Sequence, residues 1–170
     1  GETNKTLQTV ENIYRQLMAM GADRSTFLLG IGGGIVTDIT GFVAATYMRG
    51  VEFGFVSTTL LGAVDASVGG KNGVNVAQYK NMVGTFLLPR FVITDVAMLR
   101  TLPEREWRAG LAEVVKAAVI GDSELFGLLE RSADSLRHTP ELLHDVVVRA
   151  IRLKADIVER DEREGGVRCV

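Results

Sequence analysis

Between Val64 and Phe86 the chain reads V-D-A-S-V-G-G-K-N-G-V-N-V-A-Q-Y-K-N-M-V-G-T-F. One carboxylate (Asp65), two lysines (Lys71, Lys80), the amides Asn75 and Asn81 and four glycines fall in a run with no helical period. A segment built to pack repeats its apolar residues every two or every 3.6 positions. This one gathers cations and hydrogen-bond donors on glycine-shaped backbone, which can approach a ligand closely. Such a loop suits a small, polar, anionic ligand. The competing reading is a glycine-rich turn with solvated lysines.

A second element of the same kind is Gly30-Ile31-Gly32-Gly33-Gly34, which follows a short apolar run and opens a helix. Helix N-termini present free N–H groups and the positive end of the helix dipole, which suit a pyrophosphate. The spacing departs from G-x-G-x-x-G, because Ile35 stands at the last glycine. A tight strand–helix turn therefore stays open beside the dinucleotide reading. Asp38 lies four residues beyond Gly34, toward the same end of the helix. A P-loop at Gly69-Gly70-Lys71 fails, since Asp65 occupies the first glycine position and Asn72 replaces Ser/Thr.

Glu113 and Lys116 stand three apart in G-L-A-E-V-V-K, on one helix face. Their neighbours from Leu111 to Ile120 are almost all apolar or small, so the helix is expected to be buried nearly all round. A buried Glu or Lys needs a partner, a metal or a ligand. The run Asp161 to Arg168 (D-E-R-E-G-G-V-R) reads alone as a solvated turn, and Lys154 before it as an ordinary helix residue. His138 and His144 match neither a helical face nor a common zinc spacing and are expected at the surface.

The elements that must hold these residues follow from periodicity. Residues 6–20 carry Leu7, Val10, Ile13, Tyr14, Leu17 and Met18 at helical spacing, and Gly21 supplies the stop. Residues 26–31 read as a short buried strand, 34–47 as a helix, 53–57 and 91–94 as further strands. That rhythm indicates a parallel sheet covered by helices. Beyond residue 103 no strand pattern appears. Helices are expected over 104–119, 123–130 and 140–159, with Pro103 at the first turn. The fold class is thus α/β then all-α, with a boundary that divides the chain into residues 1–102 and 103–170.

The 170 residues are 46% hydrophobic with a formal net charge of −2, which excludes a global basic field for nucleic acid. No apolar run reaches the ~18 residues of a membrane span, and the opening G-E-T-N-K-T has neither the basic start nor the apolar core of a signal peptide. The single Cys169 excludes an internal disulfide and suits a reducing, cytoplasmic setting. Both ends read as cut, so an excised piece of a longer protein is expected.

Taken together these segments resemble 3-dehydroquinate synthase, along essentially the whole chain and in order. The resemblance rests on G-E-T-N-K-T, G-G-G-I-V-T-D-I-T-G-F-V-A-A-T-Y-M-R-G, S-T-T-L-L-G-A-V-D-A-S-V-G-G-K-N-G-V-N, Y-K-N-M-V-G-T-F, T-L-P-E-R-E, G-L-A-E-V-V-K and D-E-R-E-G-G-V-R. It implies a partial Rossmann-like NAD domain, then part of a helical metal-binding domain, with the active site in the cleft between them. It implies NAD and a divalent metal, zinc or cobalt, as cofactors. The implied substrate is a phosphorylated small molecule, 3-deoxy-D-arabino-heptulosonate 7-phosphate. NAD oxidises it transiently, phosphate is eliminated, and reduction, ring opening and aldol closure follow.

By motif match, Glu2, Lys5, Gly33, Gly34, Asp38, Thr58, Thr59, Asp65, Lys80, Thr101, Leu102 and Glu106 would contact or frame NAD. Lys71 and Asn81 would hold substrate phosphate, with Arg49 reaching across a homodimer interface. Glu113 would be a metal ligand, and Lys116, Lys154, Glu164 and Arg168 would bind hydroxyls and carboxylate. Ala66 replaces a serine common in the family. The family's metal-binding histidine segment and first strands are absent from the sequence, so the chain by itself is expected to be inactive. Related cyclases, the 2-deoxy-scyllo-inosose and valiolone-type synthases, are the alternative for the parent activity. A non-catalytic NAD-binding module is the alternative from another class.

Overall fold

The computed structural model describes residues 1–161 and 163–166. A 3-10 turn over Glu2–Asn4 leads into α1 (Leu7–Ala19), whose N-cap Thr6 accepts a hydrogen bond from the Thr9 N–H. Then come β1 (Phe27–Gly32), α2 (Gly34–Thr46) and β2 (Glu52–Ser57). A π-helical turn over Gly62–Ala66 precedes β3 (Lys71–Val76), β4 (Tyr79–Phe86) and β5 (Val92–Thr94). The rest is helical: α3 (Glu104–Gly121), α4 (Ser123–Ser132) and α5 (Pro140–Arg160), the last with its proline in the first turn.

The strands form two sheets. One is parallel in the order β1-β2-β5, with Phe27 opposite Glu52 and Phe55 opposite Val92. The other is the β3–β4 hairpin, in which Lys71 faces Phe86. Val10, Phe42, Val43, Phe53, Phe55 and Val74 pack a first core between α1, α2, the parallel sheet and the hairpin. A second core gathers Trp107, Val114, Leu125, Leu143, Val146 and Val147 with Leu60, Ala63 and Leu99. The α/β half followed by a helical half is as the periodicity predicts. The segment after β2, however, packs into the helical core, because Leu60 and Ala63 are gripped by α3 and α5.

Three expectations need correction. The strand at residues 26–31 is not buried: Leu29 is 49% and Ile31 59% exposed. β1 lies at a sheet edge and α2 covers one face only, so alternate side chains point away from the core. The run from Val64 to Phe86 is not a loop but a π-helical turn and a hairpin. The hairpin turn at residues 77–78 carries Ala77 at φ 53 without the usual Asn-Gly signature, and β4 is exposed along most of its length, so neither turn nor period marks it. Finally, α3 buries one stripe only, formed by Trp107, Gly110, Val114 and Ala118, while Val119 and Ile120 are exposed. Apolar composition all round did not translate into burial, since the packing partners lie on one side. Both histidines are exposed, as expected.

Gly110 sets the approach of α3. A Cβ there would stand 2.5 Å from the Leu60 Cβ and 2.6 Å from the Leu61 backbone nitrogen. Backbone cannot step aside cheaply, so Gly110→Ala should destabilise the fold despite a gain of about 1 kcal/mol in helix propensity. Overpacking of this kind costs about 1–3 kcal/mol. Denaturant unfolding is expected to show a net loss, and a more stable variant would show that α3 has slack.

Candidate functional site

A cavity of about 540 Å³ opens where α2, the π-helical turn, the β3–β4 hairpin and α5 meet. Its wall includes Asp38, Asp65, Lys71, Asn81, Lys154 and Glu164, which lie far apart in the sequence. Each is carried there by a different element. α2 presents Asp38, the π-helical turn Asp65, β3 and β4 Lys71 and Asn81, and α5 Lys154. Glu164 follows α5 in a turn, with φ at 57.

Within this wall the cations are already paired. Lys154 Nζ donates to Asp65 Oδ1 at 2.6 Å, both side chains being part-buried. Lys71 makes a close ion pair with Glu164. Behind the wall, Lys5 is almost wholly buried and donates to Asp38 and, at 2.6 Å, to Asn81 Oδ1. Burial lifts the Asp38 carboxyl above the usual aspartate range; the Lys5 hydrogen bond and charge pull against this, and Glu2 and Asp65 add to the rise.

Other predicted residues stand outside the cavity wall. Gly33 and Gly34 form the β1–α2 turn, packed tightly: a Cβ at Gly33 would meet Thr59 Cγ2 at 2.8 Å, and one at Gly34 the Ala66 Cβ at 2.8 Å. Thr58 donates its N–H to Gly32, and Thr59 Oγ1 accepts from the Gly62 N–H at 3.0 Å. Glu2 accepts from Asn75, and the exposed Lys80 lies 3.9 Å from the same Glu2 oxygen. Thr101, Leu102 and Glu106 sit at the start of the helical half, with Leu102 in the helical core. Arg49 is exposed at φ 69, away from the cavity. Arg168 lies outside the described residues.

The Glu113–Lys116 pair corrects the expectation of burial. Their side chains are 28% and 54% exposed and form a close ion pair. Glu113 Oε2 itself is buried, and its contact with Lys116 lacks hydrogen-bond alignment. Partial burial opposes the charge on Lys116, but the Glu113 contact and the Asp65 and Glu113 charges outweigh it and hold Lys116 above the usual lysine range. Among the described residues no three His, Cys, Asp or Glu side chains cluster as a metal site would require.

Sequence reasoning missed Asn72, Met82, Thr85 and Phe86 on the cavity wall. Asn72 is buried and donates to the carbonyls of Gly70 and Leu87, both at 2.9 Å, which closes the base of the hairpin. No alternation in the sequence pointed to it, since β3 buries Asn72, Gly73 and Val74 in succession.

The Asp38 value is testable. Lys5→Met removes the opposing cation and should raise the Asp38 pKa further, read by carboxyl carbon NMR. Because the folded value exceeds the unfolded one, the Asp38 contribution to stability is fully present below the ordinary aspartate pKa and is lost as pH rises through the raised value. An unchanged titration would detach Asp38 from Lys5.

The model for the 3-dehydroquinate synthase N-terminal domain matches residues 1–109, and that for the 3-dehydroquinate synthase C-terminal domain residues 110–170. A 3-dehydroquinate synthase from Synechocystis sp. is 49% identical over 173 residues, covering 100% of this chain and 48% of the relative. The chain spans about half the length of the curated relatives it matches. Among solved structures, ValA (2-epi-5-epi-valiolone synthase) from Streptomyces hygroscopicus subsp. jinggangensis 5008, with NAD+ and Zn2+ bound, aligns at TM-score 0.93 and 35% identity, covering 98% of this chain and 47% of that one. A 2-deoxy-scyllo-inosose synthase complexed with carbaglucose-6-phosphate, NAD+ and Co2+ aligns at 0.86 and 31%, covering 99% and 46%.

Proposed function

Since this chain belongs to the 3-dehydroquinate synthase family, we propose that the full-length protein carrying it is itself a 3-dehydroquinate synthase. It would convert 3-deoxy-D-arabino-heptulosonate 7-phosphate to 3-dehydroquinate with loss of phosphate, as a carbon–oxygen lyase of the shikimate pathway. The observation that carries this reading is the convergence of Asp65, Lys71, Asn81, Lys154 and Glu164 on one cavity. A substrate with both a phosphate and a carboxylate needs several cations held apart at fixed distances, and Lys71 and Lys154 stand on different elements of that wall. Identity near 49% to a curated 3-dehydroquinate synthase, against 35% and 31% to the two other cyclases, favours this substrate over a heptulose or glucose phosphate.

In this reading Lys71 and Asn81 take the phosphate, while Lys154, Lys116, Glu164 and Arg168 order hydroxyls and the carboxylate. As the anion enters, the acids now paired with Lys71 and Lys154 would have to give up those lysines and turn to other donors or to water. Arg49, directed outward, would serve the phosphate of a partner subunit in a homodimer. The residues present fit NAD. The α2 N-terminus offers first-turn N–H groups beside the close-packed Gly33 and Gly34. Asp38, Asp65, Thr58 and Thr59 surround that end, with Glu2, Lys5, Lys80, Thr101, Leu102 and Glu106 as the remaining contacts. When bound, NAD would supply the hydride acceptor that makes the neighbouring C–H acidic. Glu113 would contribute one ligand to a divalent metal, whose remaining ligands would come from outside the described residues.

The reading is tested on the full-length protein with NAD+, Zn2+ and the heptulosonate phosphate, following phosphate release and identifying the product. Formation of 3-dehydroquinate supports it. Turnover of heptulose or glucose phosphate alone would assign it to the related cyclases, and NAD binding without turnover of any of them would leave a binding module. Lys71→Ala is expected to cost about 1.5–3 kcal/mol in kcat/KM, the worth of a hydrogen bond to a charged group, with NAD affinity little changed. Normal kcat/KM would return Lys71 to the solvated hairpin. The isolated 170-residue chain is expected to show no phosphate release under the same conditions, and turnover matching the full-length protein would overturn that.

A further inference from the structure

We propose that Asn75, which does not line the cavity, is a positioning residue that ties the N-terminal arm to the hairpin and sets the direction of Asn81. The proposal rests on the reading of Lys71 and Asn81 as phosphate holders. Asn75 lies where the β3–β4 register shifts, between Val74 and Val76. The irregularity takes it out of step with β4, and it pairs with residues 2–6 instead. Its backbone N–H donates to the Lys5 carbonyl at 2.8 Å, and Thr6 bridges to it in parallel.

The side chain is used at both ends. Nδ2 donates to Glu2 Oε1 at 2.8 Å, and Oδ1 accepts from the Asn81 N–H at 3.0 Å. Asn81 stands at φ 55, in the left-handed region that few non-glycine residues occupy. Its own side chain accepts from Lys5 at 2.6 Å, so Lys5, Asn75 and Asn81 close a ring. An amide suits this place because it can donate to a carboxylate and accept from an N–H at once; a carboxylate accepts only, and alanine does neither. Both side-chain bonds are exposed. Water competes for them, so their main effect is on geometry rather than on stability.

In the full-length protein, inorganic phosphate is titrated calorimetrically and the Asn81 amide is followed by hydrogen exchange, with thermal unfolding as the control. Asn75→Ala is expected to weaken phosphate binding about tenfold, as one misdirected contact to an anion would. It should also speed exchange at Asn81 while the unfolding midpoint moves little. Asn75→Asp keeps the acceptor for Asn81 but sets like charges face to face with Glu2. Adding Glu2→Gln restores a donor–acceptor pair of reversed polarity and should recover most of the lost affinity. Unchanged phosphate affinity in Asn75→Ala, or no recovery in the double variant, overturns the proposal. If the unmutated protein takes up no phosphate, the functional reading fails separately; the amide then decides, and unchanged Asn81 exchange overturns the tie.

Discussion

The hydrogen-bonded ion pair between Lys154 and Asp65 ties α5 to the π-helical turn on the wall of the cavity. One partner stands on the longest helix and the other on a single π-helical turn, 89 residues away. A part-buried pair like this must offset the desolvation of both ions, and it does so only where the backbone holds them in register. Here the register comes from packing. Gly110 lets α3 close on Leu60 and Leu61, Ala63 and Val64 enter the helical core, and Asp65 is left facing α5.

The same arrangement recurs on the cavity wall, behind it and on α3. Lys5 meets Asp38, Lys71 meets Glu164, and Lys116 meets Glu113. Each lysine that the proposed chemistry would use is already balanced by an acid. Such a wall stays close to neutral when empty and can still present cations to an anion, since an entering phosphate or carboxylate replaces one acceptor by another. The Asp38 carboxyl is the least exposed of these acids. Its burial exceeds what the single Lys5 contact offsets, which is why its pKa rises rather than falls. That makes the Lys5–Asp38–Asn81 corner the electrostatically stressed part of the site.

Much of the architecture was legible beforehand. The amphipathic spacing of α1, the apolar strands and the proline-led helices each carry a local period, and local periods survive in any one-dimensional reading. The order of motifs was equally legible, and with it the family. The hairpin was not, because Ala77 occupies a position where turn-forming residues normally advertise themselves, and Tyr79 to Phe86 lie too exposed to alternate cleanly. The one-sided burial of α3 escaped for the opposite reason. Its residues are apolar on both sides, and composition does not say which side meets a partner.

By itself, then, the sequence determined the classes of element, their order, and the residue types available for chemistry: lysines, carboxylates and amides set among glycines. Tertiary structure decided which of them meet. Lys5 reaches Asn81 over 76 residues and Lys154 reaches Asp65 over 89, and no pattern in the intervening chain encodes either distance. Contacts of that range depend on how helices and sheets pack, which is set by side-chain volume and burial summed over both cores. Asn75 shows the division most plainly. The sequence displays a polar residue in a glycine-rich run, and only the fold turns it toward Glu2, Lys5 and Asn81 at once.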